Sequence, residues 1–133
     1  MEGIVMQDTS NAMAAVGGQP EGPIKNISIA QPVVLKDQVV YADGQIVSKT
    51  LAQNNQVSIT LFSFGAGEEI ASHKAGGDAF VTVLDGQGVI TIDDAEHSLT
   101  EGQSIVMPLG HPHAVRAVSN FKMLLVVVYP SES

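Results

Sequence analysis

Gly67-Glu68-Glu69-Ile70-Ala71-Ser72-His73-Lys74-Ala75-Gly76-Gly77-Asp78-Ala79 and Gly102-Gln103-Ser104-Ile105-Val106-Met107-Pro108-Leu109-Gly110-His111-Pro112-His113 are the stretches on which the reading turns. Together they hold three of the chain's 4 histidines. Residues two apart in an extended segment face the same side, so His73 shares a face with Ala75. His111 and His113 are also two apart, with Pro112 bending the chain between them. Imidazoles delivered by two separate strands can meet inside a barrel and bind a metal through their neutral nitrogens. A carboxylate normally completes such a site.

Working outward, the pattern from about residue 26 is β. Short runs rich in Val, Ile, Thr and Phe alternate with Gly, Asn and Asp turns. Strands are expected over Ile27 to Ala30, Val39 to Tyr41, Ile46 to Leu51, Val57 to Phe64 and Ala79 to Leu84. Further strands are expected over Val89 to Ile92, Ser104 to Met107, Ala114 to Val118 and Met123 to Tyr129. Asp43-Gly44 and Asp85-Gly86 read as hairpin dipeptides, because both residue types tolerate positive φ. Asn54-Asn55, Asp93-Asp94 and Ser119-Asn120 read as turns of the same kind. No window sustains helical periodicity over three turns. Closely spaced short strands point to a sandwich or barrel.

Met123-Leu124-Leu125-Val126-Val127-Val128 is apolar at every position rather than alternating. A strand buried on both faces reads this way. In a single barrel the second face needs a cover, and a second subunit is the expected one, which makes the protein a homodimer.

The two opening stretches resemble the paired motifs of the cupin superfamily. The first family motif runs Gly, five residues, His-x-His, three or four residues, Glu, six residues, Gly. Gly67, His73 and Gly86 match it in register. The second runs Gly, five residues, Pro-x-Gly, two residues, His, three residues, Asn. Gly102, Pro108, Gly110 and His113 match that one. The resemblance covers roughly residues 57 to 128. It implies an all-β, single-domain fold, the double-stranded β-helix or jelly-roll barrel. Residues 25–133 would form this barrel, and residues 1–24 a flexible leader whose Gly17-to-Pro23 stretch is a cluster of breakers.

The family's metal would sit on three histidines and a glutamate. Here the second histidine is Ala75, the glutamate falls on Ala79, and the closing Asn is Ala117. The usual four-ligand site therefore cannot form. Asp78 lies one residue early, a shift that ordinarily changes face, although Gly76-Gly77 gives the backbone freedom to compensate. His111 offers a third nitrogen. Two readings follow. In one, His73, His113, Asp78 and His111 hold a divalent metal ion. In the other, His73 and His113 line a metal-free pocket with Asp78, Met107 and His111. Both give a cavity suited to a small polar molecule. The corresponding functions are a small-molecule-binding cupin or a metal-dependent oxygenase, isomerase or lyase of the cupin type. A barrel that only supports a dimer is the third.

The bulk numbers exclude more than they assign. The 133 residues make one domain. Fourteen acids against 6 bases give a net charge of −8, which repels nucleic acid and anionic membrane. No apolar run is long enough to span a bilayer. The N-terminus lacks the basic start of a signal peptide, leaving the cytoplasm as the expected location. With no cysteine there is no thiol nucleophile, thiolate site or disulfide. His97, Lys74 and Arg116 read as solvated, and the Phe and Tyr residues as core or interface.

Overall fold

The β-branched runs become strands in a computed structural model that describes residues 4–6 and 22–131. The strands are β1 (Ile4–Met6), β2 (Ile46–Gln53), β3 (Val57–Phe64), β4 (Glu69–His73), β5 (Asp78–Asp85), β6 (Gln87–Ile92), β7 (Ala95–Thr100), β8 (Ser104–Met107), β9 (His113–Ala117) and β10 (Phe121–Val128). The sole helical element among the described residues is a short 3-10 turn, Leu35–Gln38. No helix among them is long and apolar enough to cross a membrane.

A six-stranded sheet in the order β1-β2-β3-β10-β5-β8 faces a four-stranded sheet in the order β4-β9-β6-β7. From β3 onward the chain passes back and forth between the two, the signature of a jelly roll. Inward side chains from both sheets form one core that includes Phe64, Phe121, Ile46, Ile90 and Val83. Phe64 and Phe121 close one end of the barrel, with tilted rings 5.3 Å apart.

The turn chemistry works partly as expected and partly differently. Asp93 and Asp94 both take positive φ and join β6 to β7 in a two-residue hairpin. Asp85-Gly86 is not a hairpin. It is a corner where the chain leaves the six-stranded sheet at β5 and enters the other at β6. This corner stacks on the Ser119-Asn120 corner, whose backbone fills the space a side chain at Gly86 would need.

Two expected strands are absent. Ile27 to Ala30 and Val39 to Tyr41 belong to an irregular strap ahead of β2. Ile29 and Val40 there are exposed, and the residues that are covered are covered for another reason. Ile27, Val39 and Ala42 pack on Val47, Leu51, Leu61 and Leu124 of the six-stranded sheet's outer face. Side-chain and backbone bonds hold the strap there. Asn26 Nδ2 donates to the Thr50 carbonyl at 2.8 Å, and Ser63 Oγ donates to the Val40 carbonyl. β4 and β7 were not expected, because their polar sequences lack β-branched runs; both are largely exposed on the smaller sheet. β1 lies inside the expected leader, pairing in parallel with β2 at Ile4↔Ile46. Residues 22–24 of that leader lead into the strap, and its remaining residues fall outside the described ones.

The strap also changes the meaning of the all-apolar strand. β10 lies between β3 and β5. Its outward Leu124 packs against the layer that the chain's own strap forms on this face. Further along, Val128 remains 54% exposed, beside Phe80 at 47% and Val106 at 48%.

Gly86 supplies a test of the stacked corners. It sits at φ +76, and a Cβ there would lie 1.8 Å from the Asn120 carbonyl oxygen. Gly102, at φ +89, has open space around it. Gly86→Ala should cost roughly 3 kcal/mol or more, combining clash and strain. Gly102→Ala should cost only about 1 kcal/mol, the strain alone. Urea unfolding of both variants measures the gap, and equal costs would mean the corners do not depend on each other.

Candidate functional site

β4 and β9 pair antiparallel with His73 directly opposite His113. A bulge between Ile70 and His73 sets this register. The imidazoles meet edge to face, centroids 4.4 Å apart at an interplanar angle of 69°. His113 is buried at 3% exposure, while His73 is exposed at the rim. The expectation that histidines from the two motifs converge is met in the fold.

Both rings are oriented by backbone carbonyls. His73 Nδ1 lies 3.0 Å from the Ala71 oxygen, and His113 Nδ1 lies 3.2 Å from the His111 oxygen. A carbonyl oxygen only accepts, so Nδ1 carries the hydrogen in each ring and Nε2 is left as an acceptor. Burial pushes the His113 pKa below the ordinary histidine value, and the neighbouring His73 adds to the effect. His113 is thus held as a neutral imidazole.

The pair borders a cavity of about 520 Å³ at the end of the barrel away from the Phe64–Phe121 plug. The alternation of β5, β8, β9 and β10 builds its walls. Ala79, Met107, Val115, Met123, Leu125 and Val127 all face inward. Phe62 of β3 and Ile70 of β4 contribute from the flanks, and Ala75 lies at the mouth. Met107 apart, these wall residues were legible as inward positions once the strands were phased, but nothing in their types marked them as pocket rather than core. Ile4 also lines the cavity, from a segment the sequence assigned to the leader.

Of the five residues singled out from sequence, the fold brings three to the cavity: His73, Met107 and His113. Asp78 and His111 are not among its lining residues. Gly76-Gly77 does not shift the β5 register. Asp78 pairs with Val128 and Ala79 with Val127, so it is Ala79 that faces in. The Asp78 carboxylate instead accepts the Leu109 backbone N–H at 2.9 Å, fixing the loop before β9. His111 is half-exposed, and its Nδ1 pairs with Asp93 Oδ2 at 2.5 Å. That contact ties the loop to the β6–β7 turn. The lining is accordingly apolar and lacks the carboxylate that the sequence reading placed in it. His97 lies on β7 rather than in a turn, and it, Lys74 and Arg116 are exposed.

The donor set does not fit a four-coordinate divalent ion. The family's remaining ligand positions are occupied by Ala75 and Ala79, which line the cavity and have no donor atom. Among the described residues, no group of three or more His, Cys, Asp or Glu side chains is arranged to hold a metal. Two imidazoles without a carboxylate make a weak chelate.

Comparison with known proteins agrees with this architecture. A family model described as a cupin domain matches residues 60–129. A conserved protein of unknown function from Streptococcus pyogenes is 45% identical, with a TM-score of 0.82, over 86% of this chain and 100% of that one. A cupin superfamily protein from Desulfitobacterium hafniense is 31% identical, with a TM-score of 0.78, over 82% of this chain and 100% of that one. A cupin 2 conserved barrel domain protein from Leptotrichia buccalis is 45% identical over 70% of this chain and 45% of that one, with a TM-score of 0.69. A search of the curated proteins returned no match. The motif spacing, the jelly-roll topology and these likenesses agree: the chain belongs to the cupin superfamily.

Proposed function

We propose that this cupin binds a small molecule in the barrel cavity and does not catalyse a reaction there. The observation that carries the reading is an apolar cavity of about 520 Å³ bordered at its mouth by two oriented imidazoles. The volume is in the range of small-ligand sites, and few polar groups on an apolar wall are what such sites use to fix orientation. A metal-dependent oxygenase, isomerase or lyase needs an ion with filled protein positions and open substrate positions. Alanine at 75 and 79 leaves the protein's share of that coordination short by two ligands. Cytoplasmic location and a homodimer are part of the same reading. The dimer rests on the apolar outer patch of Phe80, Val106 and Val128, which the strap leaves bare.

A fragment screen by NMR tests the binding reading. Ligands should move the imidazole signals of His73 and His113 and leave that of the remote, exposed His97 unchanged. Fragments that perturb only His97 and other surface groups would contradict it.

Divalent metal binding by the two imidazoles is expected to be loose and removable by EDTA. Ala75 already lines the cavity, so Ala75→His would add a third nitrogen beside the pair. That substitution should tighten Ni²⁺ or Zn²⁺ binding by about tenfold or more in calorimetry. Tight, full occupancy in the unaltered protein that also survives His73→Ala would place the metal elsewhere.

Light scattering coupled to gel filtration should give about twice the 13.9 kDa chain mass. Phe80→Lys, in the middle of the bare patch, should return it to a monomer. A monomer in the unaltered protein at micromolar concentration would remove the dimer from the proposal.

A further inference from the structure

The cavity's chemistry narrows the class of its ligand. His113 is 3% exposed, and its Nδ1 is committed to the His111 carbonyl. Among the described residues no group donates to its Nε2. A buried acceptor of this kind calls for a donor. The described lining holds no Lys, Arg, Asp or Glu, so no fixed cation awaits a carboxylate and no fixed anion awaits an amine. The wall beside the histidines carries two thioethers, Met107 and Met123, and the Phe62 ring. Thioether sulfurs and ring edges favour aromatic partners over aliphatic ones.

We propose that the cavity takes a neutral phenol, whose hydroxyl donates to Nε2 of His113 while its ring lies against Met107, Met123 and Phe62. This inference rests on the small-molecule reading above and adds the ligand class to it. The arrangement selects for one donor on an otherwise apolar body. A methyl ether fills the same space but leaves Nε2 unpaired. A carboxylate brings a charge the wall cannot meet. A phenol is also a stronger donor than an aliphatic alcohol, which suits a neutral imidazole acceptor. His73, at the rim, guards the entrance with a second acceptor oriented by the Ala71 carbonyl.

The test uses the full chain dialysed against EDTA and three probes: 4-ethylphenol, 4-ethylanisole and 4-ethylbenzoate. Calorimetry should show the phenol binding about tenfold more tightly than the ether, roughly what one buried hydrogen bond supplies. The benzoate should be the weakest. In the unaltered protein, the phenol should shift the 15N resonance of His113 Nε2, and the ether should not. His113→Phe should erase the preference between phenol and ether; if that variant fails to fold, the 15N shift in the unaltered protein decides alone. Equal affinity for phenol and ether, an unmoved His113 resonance or a preference for the benzoate would each overturn the proposal. So would phenol binding that disappears on EDTA dialysis, since an ion would then be the partner. If none of the three binds at millimolar concentration, the phenol assignment fails; the broader reading then stands only if another fragment moves the His73 and His113 signals.

Discussion

β10 is the strand on which both the cavity and the outer layer depend. It is hydrogen-bonded on both edges, to β3 and to β5, over nearly its whole length. Its inward Met123, Leu125 and Val127 form the floor of the cavity, while Phe121 at its start belongs to the plug. Its outward Lys122 and Leu124 meet the strap. A shift of one residue would exchange these sets, putting Lys122 and Leu124 into the barrel. The site's shape and the strap's anchorage are therefore fixed by one register, and each helps hold the other in place.

The outer layer carries its charges in a way the composition does not reveal. Lys49 and Lys122 are nearly buried under the strap, at 8% and 9% exposure. Neither ammonium meets a carboxylate within ion-pair distance among the described residues. Lys49 Nζ donates to the Gln38 carbonyl and Lys122 Nζ to the Lys36 carbonyl, both in the 3-10 turn. Helical termini present unpaired carbonyls, and a cation is a suitable partner for them. Burial lowers the Lys49 pKa, the expected sign for an ammonium withdrawn from water. Lys122 also lies over the Tyr41 ring at 4.6 Å, a cation–π contact. The Tyr41 hydroxyl donates to Asp85 at 2.7 Å. Burial, with the Asp85 bond and charge adding to it, raises the Tyr41 pKa far above its usual value, so the hydroxyl remains a donor. Tyr41 thereby ties the strap to the end of β5, beside the Gly86 corner.

The sequence made the barrel legible because both motifs punctuate it at its corners. Gly67, Gly86, Gly102 and Gly110 all take positive φ in the fold, at the crossings between sheets that the motif spacing implies. It also made the histidine pair legible, since those corners dictate that His73 and His113 become cross-strand neighbours. Three things were not legible, for physical reasons. The strap mimics strands because it is rich in Val and Ile, of which Ile27 and Val39 pack on a sheet face without joining the ladder while Ile29 and Val40 stay exposed. β4 and β7 lack a strand's composition because one side of each faces water and the ladder alone places them. The facing of Asp78 turned on a single residue of register, which two preceding glycines left open in sequence and the β5–β10 pairing settles.

The substitutions at the family's ligand positions are not equivalent to a simple loss. With Ala75 and Ala79 in place, the cavity gains room and loses the charge that an ion would bring. A metal-binding histidine needs its Nδ1 or Nε2 oriented by a partner on the other nitrogen. Both histidines here keep such partners, the carbonyls of Ala71 and His111. Two oriented imidazoles therefore stand in a pocket where the family's two other ligand positions are alanine. An oriented neutral imidazole serves a hydrogen-bond donor as well as it serves an ion, because both are met by the same lone pair. What decides between them is the surroundings. An ion with two protein ligands must keep water or anions around it, and the cavity's wall of Met, Val, Leu and Phe opposes that. A neutral donor on an apolar body meets both the imidazole and the wall. In the proposed reading, the lone pair that the family gives to an ion is therefore met here by a neutral donor.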